Sequence, residues 1–348
     1  MSNAKVMVAM SGGVDSSVAA LQLLNAGYSC IGGIMRLCDN ITGKETGVAD
    51  AKRIADLLGF QLLVSDNTTL FEDKVVGQFI RCYEEGGTPN PCLYCNQHLK
   101  FDALLQVALA EGCNYLATGH YARIRKDVTG RYLLMKAADK SKDQSYFLAC
   151  LNQHQLSHTL FPLGELTKEE VRKIAEENGF VNAKKKDSQD ICFIPDGDYR
   201  AFLERYTGKS YPPGNYLDLE GHIVGKHSGA VGYTIGQRKG LGLAMGEPVY
   251  VCSKDMSANT VTVGPDSALF SKVLRADHWN WISIPELTEP LRCYARIRYR
   301  HTEQPATVYP EENGIARVEF EEAQRAITPG QTVVLYDGDT VIGGGTIL

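Results

Sequence analysis

Lys5-Val6-Met7-Val8-Ala9-Met10-Ser11-Gly12-Gly13-Val14-Asp15-Ser16-Ser17, running on into Val18-Ala19-Ala20-Leu21, is the stretch whose reading decides the fold. The apolar run up to Met10 has the length of a strand, Gly12 and Gly13 close it, and a helical pattern follows Val14. The order is therefore strand, loop, helix. Two glycines let the backbone approach a ligand closely, and the amides at a helix start favour an anion. The hydroxyls of Ser11, Ser16 and Ser17 add donors, so a phosphate is expected there. A P-loop would place a lysine in this loop to reach the β- and γ-phosphates. Residues 11–17 contain none, so the loop is of another kind. The competing reading is a small-residue turn with no ligand.

The rest of the chain bounds the answer. Its 348 residues exceed one ordinary core and predict two or three domains. With 44% apolar and 22% charged residues it is globular. No apolar run approaches the roughly 20 residues of a membrane span, and the N-terminus lacks a secretory pattern, so no membrane association and a cytoplasmic location are expected. The ten cysteines are then expected to be reduced, and are read as core residues, ligands or nucleophiles. A net charge of −5 means that nucleic-acid binding would have to come from local basic patches.

In chain order, strands are expected at 29–35, 61–65 and 115–118, with helices at 50–58, 70–84 and 101–110. This alternation implies βαβ units and a doubly wound parallel sheet. Ligands of such sheets lie beyond the carboxyl ends of the strands, where the 11–17 loop, Met35 and Gly119-His120 all fall. Residues 86–96, rich in Gly and Pro, read as a loop bearing Cys92 and Cys95 at the spacing of a redox pair or half a metal site. Lys142-Asp143-Gln144-Ser145-Tyr146-Phe147 reads as a solvated turn leading into a helix. Thr167 and Glu170 form a capping box for a helix over 167–178. Cys192 stands between the polar run that begins at Lys184 and an apolar segment. Near residue 210 the composition changes: Tyr211-Pro212-Pro213-Gly214 reads as a linker, followed by short strands at 249–252, 260–263, 306–309 and 332–336, which predict small β-domains. Arg292, Arg296, Arg298 and Arg300, interleaved with Tyr294 and Tyr299, form the best basic patch. Strand alternation puts the four arginines on one face and Tyr299 on the other. The patch suits an RNA backbone or a plain solvated strand equally.

The first loop resembles the SGG-x-D-S signature of the PP-loop ATP pyrophosphatases, which split ATP between the α- and β-phosphates and adenylate a substrate. Further motifs narrow the resemblance: Thr88-Pro89-Asn90-Pro91 with Cys95-Asn96, Ala117-Thr118-Gly119-His120-Tyr121-Ala122-Arg123, Lys142-Asp143-Gln144-Ser145-Tyr146-Phe147, Lys185-Lys186-Asp187-Ser188-Gln189 with Ile191-Cys192-Phe193-Ile194, 233–242, and Thr328-Pro329-Gly330-Gln331. Together they cover almost the whole chain and resemble the tRNA-specific 2-thiouridylase family.

That resemblance implies a PP-loop domain of the adenine-nucleotide alpha-hydrolase type with a helical tRNA-binding extension (1–208), a small central β-domain (209–272) and a C-terminal β-barrel contacting tRNA (273–348). It implies ATP-dependent replacement of the C2 oxygen of the wobble uridine, position 34, by sulfur, with release of AMP and pyrophosphate. By resemblance, Ala9, Met10, Ser11, Gly12, Gly13, Val14, Asp15, Ser16, Met35 and Gly119 bind ATP, with Mg²⁺ on the phosphates and Asp15 helping to hold it. Asn90, Pro91, Cys92, His120, Lys142, Asp143, Gln144, Arg298, Tyr299 and Gln331 contact tRNA or the target base. Cys95 is the nucleophile and Cys192 carries a persulfide. The expected partners are tRNAs with wobble-uridine anticodons, such as those for lysine, glutamate and glutamine, and a sulfur donor protein or free sulfide.

The chain departs from the family pattern at Cys92, where the best-known members carry an aspartate. Cys92, Cys95 and Cys192 then converge as three thiols, a set that can hold a [4Fe–4S] cluster with one iron open. The other seven cysteines, Cys38 among them, are read as structural. Two alternatives share the first loop: a PP-loop synthetase acting on a small molecule, and a tRNA-binding module without catalysis.

Overall fold

The computed structural model describes residues 4–43, 47–183 and 191–348. Seven described strands precede residue 161: β1 (Lys5–Ala9), β2 (Ser29–Arg36), β3 (Leu62–Asp66), β4 (Tyr115–Ala117), β5 (Arg123–Lys126), β6 (Tyr132–Met135) and β7 (Thr159–Leu160). Five of them form a parallel sheet in the order β3-β2-β1-β4-β7. Strand β1 lies at its centre, and Val6, Met7 and Val8 are wholly buried. A strand covered on both faces has no need to alternate, hence the unbroken apolar run before Ser11.

Helices cover both faces: α1 (Val14–Asn25), α2 (Val48–Leu58), α3 (68–84), α4 (91–110) and α5 (Lys168–Glu177). Val6 and Val8 pack with Val18, Ile54 and Val171 on one side. Met7 packs with Phe71, Phe79 and Leu104 on the other. The capping box of α5 is formed as its residue types predict: the Thr167 hydroxyl accepts from the Glu170 N–H, and Glu170 Oε2 accepts from the Thr167 N–H at 2.7 Å.

Residues 86–96 are not one loop. The chain is irregular only to Asn90, and Pro91 starts α4, so both Cys92 and Cys95 stand on a helix. Asn90 at the N-cap and proline at the first helical position are a start signal rather than a break. Both α3 and α4 contain π-wound segments, Glu72–Val76 and Cys95–Ala103, the latter carrying an N–H to C=O bond from Leu104 back to Leu99.

After α6 (Tyr199–Thr207), ended by Gly208 at φ +68°, the chain turns to β structure. Strands β8 (Gly214–Leu217), β9 (Ile223–His227), β10 (Tyr250–Asp255) and β11 (Thr260–Gly264) form a sheet in the order β10-β11-β8-β9 around Tyr216, Val251 and Val261. Strands β12 (Phe270–Trp281), β13 (Leu291–Arg296), β14 (Gln304–Pro310), β15 (Ala316–Arg325), β16 (Thr332–Asp337) and β17 (Thr340–Ile347) form an antiparallel barrel that β12 closes by pairing with both β15 and β17. Closure leaves no edge among these six strands.

Two features depart from the sequence reading. The β5–β6 hairpin of the first segment leaves the parallel sheet and adds to the barrel through Met135 opposite Thr340. Arg131 fixes it there by donating to the carbonyls of Trp281, Ile282 and Ile284 at 3.1, 2.6 and 2.6 Å. The arginine row is also broken. Strand β13 ends at Arg296, so Arg298 and Arg300 lie beyond the alternation, and Arg296 is tied to Glu303 at 3.2 Å. Among the described residues, no helix is long and apolar enough to cross a membrane.

Candidate active site

The loop between β1 and α1 is held by its own small residues. Gly12 adopts φ +70°, and a Cβ there would meet the Gly47 carbonyl oxygen at 2.5 Å, so glycine is required. The Ser16 and Ser17 hydroxyls both donate to the Gly13 carbonyl at 3.0 Å. Asn182 donates to Ser17 Oγ at 3.0 Å and to the Gly12 carbonyl at 3.2 Å. Ser17 is fully buried, so it braces the loop and presents no donor to a ligand, unlike the expectation for it.

Beyond the carboxyl ends of β1, β2 and β4 lies a cavity of about 290 Å³. Of the ten residues expected to bind ATP, Ala9, Met10, Ser11, Asp15, Ser16, Met35 and Gly119 line it, while Gly12, Gly13 and Val14 make the turn behind it. Gly119 packs so closely that a Cβ would stand 2.7 Å from the Asp15 carbonyl carbon and from the Ser16 nitrogen. His120 and Gln144 reach the same cavity. Burial holds the His120 ring well below the ordinary imidazole pKa, so it is neutral at pH 7, with Nδ1 2.7 Å from the Thr118 hydroxyl.

Asp15 is already engaged. Lys168, on the first turn of α5, places its ammonium 2.8 and 2.9 Å from the two carboxylate oxygens, and the Tyr121 hydroxyl donates to Oδ1 at 2.9 Å. Asp15 is the one carboxylate among the described residues lining the cavity. A single carboxylate suits Mg²⁺ carried in mainly by phosphates and water.

Cys92 and Cys95 stand in the first turns of α4. Cys92 and Cys192 are exposed and Cys95 is half-buried. Burial pushes the Cys95 thiol up to about 11; Lys100 pulls it down, while Cys192 and Cys92 oppose ionisation. Cys38, just beyond the end of β2, is buried and joins this group rather than a remote core. Its coupling to Cys192 holds the Cys38 thiol low and pushes that of Cys192 up. With Cys150, which Cys95 also influences, five thiols therefore share one electrostatic neighbourhood, where the sequence suggested three. A soft, all-sulfur donor set fits iron. The sulfurs are not drawn into a tight tetrahedron: among the described residues, the one set with all ligand atoms within 4.8 Å of one another is Asp218, Glu220 and His222, far along the chain in the β8–β9 turn.

The residues expected at tRNA divide into two groups. Asn90 is the N-cap residue of α4, and Gln331 Nε2 donates to the carbonyls of Thr88 and Pro89 at 2.8 and 3.4 Å, so the barrel grips the segment before Cys92. Asp143 is buried, not solvated: it accepts from the amides of Ala137 and Ser145 and from the Ser145 hydroxyl. The Tyr299 ring lies against Phe147 with centroids 4.3 Å apart and planes tilted by 37°, and Arg298 donates to the Arg325 carbonyl at 3.1 Å. Tyr299, Arg300, Lys136 and Lys140 border a second cavity of about 520 Å³ between the hairpin and the barrel. Lys142 and Pro91 flank these groups as half-buried and buried residues. The segment Lys185-Lys186-Asp187-Ser188-Gln189 lies outside the described residues.

Sequence reasoning missed Lys100, Lys168 and Cys38. Lys168 is a capping-turn residue 153 positions from Asp15, and nothing local announces the pair.

Three family models match the chain: a tRNA methyl transferase HUP domain over 4–196, a tRNA methyl transferase PRC-barrel domain over 200–265 and an aminomethyltransferase beta-barrel domain over 271–347. The chain is 48% identical over 359 residues to the tRNA-specific 2-thiouridylase MnmA of Acetivibrio thermocellus, covering 100% of both chains. It is 50% identical over 354 residues to that of Heliobacterium modesticaldum, covering 99% of this chain and 92% of the other. Among solved structures, a 4-thiouridine synthetase–RNA complex with bound ATP aligns at 18% identity and a TM-score of 0.37, covering 55% of this chain and 45% of that one. That likeness is too remote to speak to chemistry.

Proposed function

The chain belongs to the tRNA-specific 2-thiouridylase family, and from that premise we propose that it thiolates tRNA with ATP, adenylating the C2 oxygen of a wobble uridine and replacing it with sulfur. One observation carries the reading: a single helix, α4, bears Cys92 and Cys95 near its start and Lys100 and Leu104 on the wall of the nucleotide cavity. A nucleophile and an adenylating centre are thereby fixed about a turn or two apart.

ATP would sit with its phosphates against Ser11, Ser16 and the start of α1, where amides and the helix dipole receive them. Ala9, Met10, Met35 and Gly119 would pack around the rest. Mg²⁺ would be held by the phosphates and Asp15, and when bound would neutralise charge on the leaving pyrophosphate. The uridine has to leave its stack to reach this depth. His120 and Gln144, at the cavity, and Asn90, Pro91 and Cys92, at its approach, would receive it, with Lys142, Asp143, Arg298, Tyr299 and Gln331 supporting the anticodon. The neutral His120 ring offers a hydrogen bond rather than a charge to the base.

The C2 oxygen attacks the α-phosphorus and pyrophosphate departs. The terminal sulfur of a persulfide on Cys192, supplied by a sulfur donor protein, then attacks C2, and the C2–O bond breaks with AMP as leaving group. Cys95 is assigned as the nucleophile that attacks Cys192 Sγ, breaking the S–S bond so that the outer sulfur stays on C2; the Cys95–Cys192 disulfide so formed is reduced by an external thiol. Cys92, Cys95 and Cys192 would hold a [4Fe–4S] cluster where free sulfide is the donor; bound there, the group would supply an open iron for sulfide. The tRNAs for lysine, glutamate and glutamine are the expected substrates and the cytoplasm the expected location. A small-molecule synthetase would not need these thiols or the barrel's grip on residues 88–90.

Nucleoside mass spectrometry after incubation with ATP, unmodified tRNA and a sulfur source tests the function. The wild type should yield 2-thiouridine and Cys95→Ser should not. Iron and sulfide content of protein purified without oxygen tests the cluster: about four irons per chain, lost in Cys92→Ala, supports it, and an iron-free protein that thiolates tRNA rules it out.

A further inference from the structure

A loop that cradles phosphates without a lysine leaves a charge unaccounted for. The nucleotide cavity is lined by one described lysine or arginine, Lys100, and neither the first loop nor His120 supplies another cation. Lys168 is committed to Asp15 and does not line the cavity. Among the described residues, Lys100 has no carboxylate within salt-bridge distance, so its charge is available to something that enters. A polyanionic triphosphate is the entrant that fits.

The same lysine stands on the helix that carries Cys92 and Cys95. The winding of α4 sets how it stands relative to Cys95. In an α-helix, residues five apart stand about 140° from each other. Over Cys95–Ala103 the helix is π-wound, with hydrogen bonds five residues apart, which brings Cys95 and Lys100 round towards a common face. Single π turns recur at functional sites for this kind of reason.

We propose that Lys100 is a catalytic cation shared by the two halves of the reaction: its ammonium holds the α-phosphate of ATP and then neutralises the departing AMP while sulfur attacks C2. The inference rests on the thiolation reading above. It adds no atom to the chemistry. In the first step a lone pair of the uracil C2 oxygen forms the bond to the α-phosphorus, and the bridging P–O pair leaves with pyrophosphate. In the second, a sulfur lone pair forms the bond to C2, and the C2–O pair leaves with AMP, the oxygen now belonging to its phosphate. Negative charge accumulates on that phosphate in both steps, next to the one free cation the described cavity wall holds.

The test compares wild type, Lys100→Met and Lys100→Arg, all checked for native circular dichroism. ATP and AMP affinities are each measured by calorimetry without tRNA. Loss of a charge-assisted phosphate contact should weaken ATP roughly tenfold to a hundredfold in Lys100→Met. AMP, which carries the same α-phosphate, should weaken by a similar factor, and Lys100→Arg should recover most of both. Unchanged ATP affinity, or weakened ATP with unchanged AMP affinity, overturns the shared role. If Lys100→Met misfolds, Lys100→Arg and Lys100→Gln carry the comparison. Neither readout needs tRNA thiolation, so a wild type that fails to make 2-thiouridine sinks the functional reading separately.

Discussion

Replacing Lys168 by methionine removes the ammonium that both oxygens of Asp15 hold, at 2.8 and 2.9 Å, and leaves the carboxylate with the Tyr121 hydroxyl. The Lys168 side chain is 9% exposed and that of Asp15 31%, so the pair stands between surface and interior. At an effective dielectric constant of about 20, two unit charges this close attract by about 6 kcal/mol. Desolvation cancels much of that. A coupling of about 2 kcal/mol is the expected remainder, above the surface-pair range and below the cost of breaking a fully buried pair. A double-mutant cycle with Lys168→Met and Asp15→Asn measures it. The assay has to report the right domain: Trp279 and Trp281, the two tryptophans of the chain, both sit on β12 of the barrel, so their fluorescence would follow the wrong unit. Hydrogen exchange of β1 and α1 amides gives the local opening free energy directly. A coupling below about 0.5 kcal/mol would refute the reading of this ion pair as a stabilising tie between α1 and α5.

Other perturbations have equally definite outcomes. Gly119→Ala places a methyl 2.7 Å from the Asp15–Ser16 peptide, backbone that cannot swing away, so stability should fall by about 2 kcal/mol in urea unfolding and ATP affinity with it; a variant of wild-type stability and affinity contradicts the packing. The Cys95 thiol, pushed up to about 11 by burial, is protonated below that pH. Its alkylation should therefore rise about tenfold per pH unit from 7 to 10, and a plateau below pH 9 would show the thiol is not held up. Arg131→Ala removes a donor from three carbonyls, of which that of Ile282 keeps Gln153 Nε2, and should loosen the β5–β6 hairpin by about 2 kcal/mol, read as faster hydrogen exchange in 123–135. Unchanged exchange there would mean that the strand pairing alone anchors it.

Much of the first domain was legible because its signals are local. Apolar runs of strand length, the Gly12-Gly13 turn and the Thr167/Glu170 box each specify their structure within a few residues. The seven cavity-lining residues expected at ATP follow from one rule about strand ends. What stayed hidden depends on distance or on unusual winding. Asn90-Pro91 carries a helix start and a loop signal in the same two residues, and the loop reading won wrongly. Cys38 reaches Cys192 across 154 positions, and Lys168 reaches Asp15 across 153, with no periodicity to reveal either. The five-residue spacing of Cys95 and Lys100 means nothing on an α-helix and becomes meaningful only when the helix is π-wound. The arginine row failed because alternation holds only while the strand lasts, and β13 stops at Arg296.

The most direct test of the account is the fate of one oxygen atom. A tRNA bearing ¹⁸O at C2 of the wobble uridine is incubated with the protein, ATP and a sulfur source, and the AMP, pyrophosphate and nucleosides are weighed. Adenylation of the C2 oxygen predicts one ¹⁸O in AMP for each 2-thiouridine formed and none in pyrophosphate. Unlabelled AMP alongside 2-thiouridine, or label in pyrophosphate, would contradict the proposed chemistry at its first step.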